Sequence, residues 1–131
     1  MSKVNDILDQ AGFFYLATTD GMQPKIRPIG AHLEKDGKIY FGIGSHKNVY
    51  RQMLSNPLVE IVAFDKGKWL RYTGKAVFVE DPEIAETFLN RSPYLRNVYN
   101  EQTGNQMKVF YLENPTALLM DGAGNGTGIT D

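Results

Sequence analysis

The sequence has no cysteine and only two histidines, His32 and His46, among its 131 residues. The absence of thiols excludes disulfide bonds, thiolate metal sites and a cysteine nucleophile. Two histidines are too few for most protein metal clusters, so we expect no metal site, and we expect both rings to be hydrogen-bonded or solvent-facing rather than catalytic. Redox chemistry in this chain would have to come from a bound cofactor.

The chain also lacks a strong excess of charge of either sign. Its 14 Lys and Arg residues and 15 Asp and Glu residues give a formal net charge of −1. So weak a field does not favour nonspecific binding to nucleic acid or to anionic lipid. No apolar run reaches the ~18 residues that span a bilayer, and no signal-peptide segment is recognisable. We therefore expect a cytoplasmic protein with neither nucleic-acid nor membrane partners.

The chain does contain enough apolar side chains for one compact core. Hydrophobic residues make up 42% of the sequence and aromatic residues 11%. The length is typical of a single domain, which we place at residues 1–121. Residues 122–131 carry alternating glycines. We expect this Gly-rich C-terminal stretch to be a flexible tail or a docked extension.

Short β-branched and aromatic segments separated by turn residues predict antiparallel strands. A first strand begins at Phe13 and ends at the turn signal Asp20-Gly21. A second is predicted over residues 25–34 and a third over 39–43, so that three strands pair in sequence order. Further strands are predicted at residues 58–64, 69–79 with a bend at Gly74, 107–112 and 116–120, the last two separated by a break at Asn114-Pro115.

Helices are predicted at three places, with Ser2, Ser45 and Asp81 as N-caps. Pro82 would occupy the first turn of the third helix, where its missing N–H does no harm. A further helical piece is predicted at residues 94–100. Antiparallel strands interrupted by a few helices indicate a small closed or partly closed barrel. No Gly-x-Gly-x-x-Gly opens a helix, so a parallel dinucleotide-binding sheet is not indicated.

The first candidate binding segment is Lys-Ile-Arg-Pro-Ile-Gly-Ala-His at residues 25–32. Pro28 removes a donor from the strand, so it must lie at a sheet edge or a bulge, where free backbone groups could meet a ligand. Lys25 and Arg27 would project on the same side of that opening. The alternative is a solvated edge strand whose proline and cations discourage aggregation.

The second candidate is the passage from a glycine-bearing strand into a helix at residues 40–48. Unpaired amides at a helix start, the hydroxyl of Ser45 and the charge of Lys47 would together satisfy a phosphate. The alternative is an ordinary Ser-capped helix, and the order of a Walker loop is absent. A third candidate is the pair Trp69 and Arg71, a flat wall for an aromatic anionic ligand or equally a dimer interface.

Six segments, in this order and spacing, resemble the pyridoxamine 5′-phosphate oxidase-like family over about residues 4–80. No single one is diagnostic, but the ordered set is. The segments are Phe-Tyr-Leu-Ala-Thr (14–18), Lys-Ile-Arg-Pro-Ile-Gly (25–30), Ile-Tyr-Phe-Gly-Ile (39–43), Ser-His-Lys-Asn-Val (45–49), Asn-Pro (56–57) and Trp-Leu-Arg-Tyr-Thr-Gly-Lys-Ala (69–76).

The resemblance implies a mainly β fold: an FMN-binding split β-barrel of antiparallel Greek-key strands, assembled as a homodimer. The flavin sites would lie at the subunit interface and be shared between the chains. Ser45 and Lys47 fall on the positions expected to hold the FMN phosphate, with Asn48 nearby. Trp69 and Arg71 fall on the strand that would reach the partner's flavin.

The resemblance places Arg27 and the backbone of Pro28 and Ile29 against the isoalloxazine ring and the phosphoribityl chain. Reduction of a flavin puts negative charge near N1, so a cation aimed there would favour the reduced form. Arg27 and Lys25 are the candidates for that cation. No catalytic side chain is identified, because hydride chemistry belongs to the ring.

The implied function is that of an FMN-dependent oxidoreductase acting on an unidentified small molecule, with a reductant such as NADH or NADPH. The chain is shorter than true pyridoxamine phosphate oxidases and lacks their C-terminal Arg-x-His motif, so vitamin B6 oxidation is not implied. One alternative is a non-catalytic flavin-binding protein that acts as an electron carrier, store or sensor. Another is a barrel that binds a different planar cofactor, deazaflavin or haem, or an oligonucleotide.

Overall fold

The structure, a computed structural model, describes residues 2–130, and the side chains from residue 3 onward; the predicted cap of Ser2 therefore lies outside the described side chains. No helix in this range is both long enough and apolar enough to cross a membrane. The elements in chain order are α1 (Ser2–Ala11), β1 (Phe14–Asp20), β2 (Gln23–Ile29), β3 (His32–Lys35), β4 (Lys38–Gly44), α2 (Asn48–Ser55), β5 (Leu58–Asp65), β6 (Lys68–Val79), α3 (Pro82–Arg91), a 3₁₀ helix (Pro93–Asn97), β7 (Met107–Met120) and β8 (Gly126–Gly128).

The strands form one antiparallel sheet in the order β2-β1-β5-β6-β7-β4-β3, with β8 paired to β7. The fold is of the split-barrel type, as expected. The prediction of one strand over residues 25–34 is wrong, because Gly30 and Ala31 divide it into β2 and β3. These two strands lie at opposite ends of the sheet, so three strands do not pair in sequence order. Pro28 lies on the edge strand β2, as its missing N–H predicts.

The core lies on the inner face of the sheet, under α1 and α2. Phe41 is at its centre, with its ring centroid 5.4 Å from that of Phe110 and 5.8 Å from that of Phe14. Such offset and edge-to-face ring pairs add to the free energy gained by burying apolar area. The alternation of β6 follows the prediction, with Leu70 and Tyr72 buried on this face.

A smaller cluster on the outer face places α3 against β4 and β7. The predicted cap is confirmed, since Asp81 Oδ1 accepts a hydrogen bond of 3.1 Å from the backbone N–H of Ile84. Phe88 of α3 packs beside Val109 of β7. Gly42 of β4 lies directly beneath this contact: a Cβ there would be 2.7 Å from Met107 Sδ and 2.9 Å from Phe88 Cδ2.

We expect Gly42→Ala to destabilise the protein by about 1–3 kcal/mol, because the added methyl overpacks the contact between α3 and the sheet. Gly122→Ala is the matched control, since a Cβ at Gly122 would meet no atom within 4 Å. Thermal melts of the two variants measure the difference. Equal melting temperatures would contradict this expectation and show that α3 moves to accommodate the methyl group without loss of stability.

The sequence also predicts a break at Asn114-Pro115 that the structure shows as an irregularity within the continuous strand β7. Asn114 has a φ of 50°, and opposite it the register of β6 shifts between Thr73 and Lys75, at the predicted bend of Gly74. Of the two alternatives for the C-terminal stretch, a flexible tail or a docked extension, the structure shows the docked extension, because Gly126–Gly128 pairs with β7. The helical piece expected at residues 94–100 is the shorter 3₁₀ helix.

Candidate functional site

A cleft of about 680 Å³ opens between the end of β2, the end of β4 and the segment that follows α3. This volume lies within the range of about 300–1,000 Å³ usual for small-molecule and cofactor sites. Of the nine predicted site residues, four line the cleft: Arg27, Pro28, Ile29 and Lys47. The cleft lining also includes Asp9, His32, Gly42, Gly44, Val49, Phe88, Arg91, Tyr94, Tyr99 and Met107.

Lys47 is the N-cap residue of α2, in an extended conformation with φ −88° and ψ 151°. Its backbone N–H donates to the carbonyl of Gly44 over 3.2 Å, which fixes the turn from β4 into the helix. Among the described residues, no side chain caps α2, and its first turn contains no acidic residue. The positive end of the helix and the ammonium group of an exposed lysine therefore coincide at the cleft, which suits an anion.

The predicted role of Ser45 as N-cap is wrong, because α2 begins three residues later. Ser45 instead continues the pairing of β4 beyond the end of the strand: its Oγ accepts from the N–H of Gln106 and its own N–H donates to the carbonyl of Gln106, each over 2.8 Å. Asn48, the first residue of α2, accepts a hydrogen bond of 3.2 Å from Arg51. Neither Ser45 nor Asn48 lines the cleft.

Arg27 lines the cleft, but its guanidinium is held by the protein. One terminal nitrogen donates to Leu16 O over 3.1 Å and to Thr18 Oγ1 over 2.6 Å, and the other donates to Gln52 Oε1 over 2.8 Å. Burial lowers the pKa of Arg27. Arg27 thus ties the edge strand β2 to β1 and α2. Lys25, two residues earlier, is exposed and does not line the cleft.

Trp69 and Arg71 do not lie at the cleft of their own chain but on the outer face of β6. The Arg71 guanidinium is 4.9 Å from the centre of the Trp69 ring, and its Nε is 3.3 Å from Glu60 Oε1. The strand registers bring further apolar residues to this face. We call this surface the outer patch; its apolar members are Tyr15, Ile26, Val62, Phe64, Trp69, Leu118 and Met120.

His32 forms a buried part of the cleft wall and joins three elements. Its Nε2 is 2.9 Å from Asp9 Oδ1 and its Nδ1 is 2.8 Å from Asn5 Oδ1, both on α1. Its backbone carbonyl accepts a hydrogen bond of 2.7 Å from Arg91 at the end of α3. Burial lowers the pKa of His32, the Arg91 charge lowers it further, and the Asp9 carboxylate offsets only part of this change.

We expect stability to fall as the pH drops below about 6.5, because unfolded His32 then binds a proton that the folded ring resists. Melting temperatures measured from about pH 7 to about pH 5.5 should fall more steeply for the wild type than for His32→Gln. Equal slopes for wild type and His32→Gln would contradict this assignment.

Comparison with known proteins identifies relatives of the whole chain. A family model described as pyridoxamine 5′-phosphate oxidase matches residues 1–119. A NimC/NimA family protein from Clostridium acetobutylicum is 33% identical, with a TM-score of 0.83, and the match covers 98% of this chain and 93% of that one. A comparison with curated proteins found no match.

Two more distant structures have the same fold. General stress protein 26 from Bacillus anthracis is 16% identical, with a TM-score of 0.72 over 98% of this chain and 97% of that one. HutZ, the haem storage protein from Vibrio cholerae, is 14% identical, with a TM-score of 0.63 over 87% of this chain and 91% of that one. At these identities the likeness concerns the fold alone.

Proposed function

The chain belongs to the pyridoxamine 5′-phosphate oxidase family, and from this premise we propose that it is an FMN-dependent oxidoreductase acting on a small molecule. The family commonly binds flavin. The observation that carries the proposal is the position of Lys47: a cation at the start of a helix without side-chain cap or acidic first turn, facing a cleft of suitable volume. Lys47 and the backbone N–H of Val49, which also lines the cleft, would hold the phosphate.

The remainder of the cleft suits the remainder of FMN. Pro28 and Ile29 lie on an edge strand, so their backbone groups on the open side have no neighbouring strand. Together with Val49 they offer an apolar and backbone-polar wall to a flat heterocycle. Arg27, fixed by Thr18 and Gln52, keeps this edge in place. When bound, FMN would supply the hydride or electron transfer.

We further propose that a second copy of the chain covers the outer patch. Soluble monomers rarely expose large contiguous apolar surfaces, and Phe64 of the patch is 64% exposed. Trp, Tyr and Arg are favoured in interfaces, and the patch contains Trp69 beside Arg71. A homodimer through this face would bring Trp69 and Arg71 toward the partner's cleft, where the sequence resemblance puts them.

The test of the proposed function is the visible absorption spectrum of the purified protein incubated with FMN, followed by anaerobic mixing with NADH or NADPH. A bound flavin whose absorption bleaches on mixing with either nucleotide supports a reductase. A bound flavin that neither nucleotide reduces would favour the carrier, store or sensor. A protein that takes up no FMN, or that binds haem in its place, would contradict the proposal.

A further inference from the structure

We infer that Arg91 is a second anion-binding point in the cleft and that it holds the carboxylate of a planar substrate. The inference rests on the proposed function, because it assigns Lys47 to the phosphate of FMN and leaves Arg91 for the reactant. It names a substrate class, small aromatic or otherwise planar carboxylates. Three observations support it: the contacts of Arg91, the spacing along β4 of the backbone groups that Arg91 and Lys47 contact, and the residues around Arg91.

Arg91 is oriented but not neutralised. One terminal nitrogen donates to the carbonyl of His32 over 2.7 Å, which fixes the position of the guanidinium at the cleft wall. Within the described part of the chain, Arg91 has no carboxylate partner. A guanidinium has five N–H donors in a planar fork that matches a carboxylate, so most of its donors remain for a ligand.

The cleft as a whole favours anions. Three cations line it, Arg27, Lys47 and Arg91, against one described acidic side chain, Asp9. Asp9 faces the ring of His32 at 2.9 Å, so its carboxylate is engaged. A ligand with a negative group would therefore gain more here than a neutral ligand of the same shape.

Arg91 and Lys47 meet the cleft at different points along β4. Arg91 bonds to His32, which pairs with Phe41 in the ladder between β3 and β4. Lys47 bonds to Gly44, three residues further along the same strand. Three residues of strand span about 10 Å between these backbone contacts, and we assign the phosphate to Lys47 and a second anionic group to Arg91.

The surroundings of Arg91 suit a planar apolar body. Tyr94 and Tyr99 line the same cleft beside Met107, and Tyr94 is 70% exposed. Burial and the neighbouring Tyr94 raise the pKa of Tyr99, so its phenol stays neutral and can donate a hydrogen bond. An aromatic carboxylate could stack on this wall with its charge at Arg91.

The test is calorimetric titration of benzoate and of its neutral counterpart benzamide, with and without FMN, into wild type, Arg91→Gln and Arg96→Gln. Arg96 pairs with Glu86 at 2.6 Å and does not line the cleft, so it is the matched control. We expect the wild type and Arg96→Gln to prefer benzoate by about tenfold. Arg91→Gln should lose that preference and keep the wild-type affinity for FMN.

Three results would overturn the inference: no benzoate binding to the wild type, an unchanged preference in Arg91→Gln, or an equal loss of FMN and benzoate affinity in that variant. The last result would place the FMN phosphate at Arg91. If the wild type and both variants fail to bind FMN but the preference for benzoate depends on Arg91, the proposed function is contradicted and the anion site is supported.

Discussion

Lys47→Ala is expected to raise the dissociation constant of FMN about ten- to a hundredfold. A hydrogen bond to a charged group contributes about 1.5–3 kcal/mol, and each 1.4 kcal/mol corresponds to a tenfold change in affinity. Lys47 is exposed and makes only backbone hydrogen bonds within the described chain, so its side chain can be removed with little effect on folding. Quenching of FMN fluorescence on titration with protein measures the constant.

Lys68→Ala is the control for this titration, since Lys68 is an exposed cation at the start of β6 and does not line the cleft. The control should bind FMN as the wild type does. Lys47→Arg keeps the charge and should lose much less affinity than Lys47→Ala. If Lys47→Ala binds FMN as tightly as the wild type does, the phosphate does not bind at the start of α2.

Phe64→Lys is expected to weaken homodimerisation by at least about thirtyfold, because a charge would replace an apolar anchor in the outer patch. Truncation of an interface hot spot lowers the binding free energy by about 2 kcal/mol or more, which corresponds to about a thirtyfold change in the dissociation constant. Phe64 pairs with Trp69, and Trp69 with Met120, so the substitution falls in a continuous apolar row across three strands. Analytical ultracentrifugation over a range of concentrations measures the dissociation constant.

Leu54→Lys is the matched control, because Leu54 is 59% exposed, compared with 64% for Phe64, but lies on α2 away from the outer patch. It should leave the dimer intact. Phe64→Lys should also lower the affinity for FMN if the flavin sites are shared between chains. A wild-type protein that is monomeric at all concentrations, or a Phe64→Lys variant that dimerises normally, would contradict the proposed assembly.

Features that the sequence predicts correctly are those set by one or two neighbouring residues. Pro28 lacks an N–H, and the strand that contains it lies at a sheet edge. Asp81 followed by Pro82 starts α3 with the expected hydrogen bond. These signals are local because backbone donors and φ angles depend on the residue itself.

Features that the sequence predicts wrongly depend on strand pairing. Serine is a favoured N-cap residue, but Ser45 bonds to Gln106, 61 residues away. Its hydroxyl accepts from the N–H of Gln106, and its own N–H donates to the carbonyl of Gln106. Residues 25–34 read as one strand because both halves have β character. Only the order of the sheet shows that Gly30 and Ala31 carry the chain from one edge to the other.

The residues of the site that sequence reasoning missed are also brought together over long distances in the chain. Arg91 meets His32 across 59 residues, and Arg27 meets Gln52 across 25. Gln52 gives a weak signal, a polar side chain within the buried face of an amphipathic helix. No comparable signal marks Arg91, because a basic residue in the last turn of a helix is usual.

Titration of the wild-type protein with FMN and with riboflavin under the same conditions tests most directly whether the start of α2 and Lys47 bind the phosphate of FMN. The two ligands share the ring and the ribityl chain and differ in the phosphate alone. We expect FMN to bind at least about tenfold more tightly than riboflavin. Equal affinity for the two, or no binding of either, would contradict it.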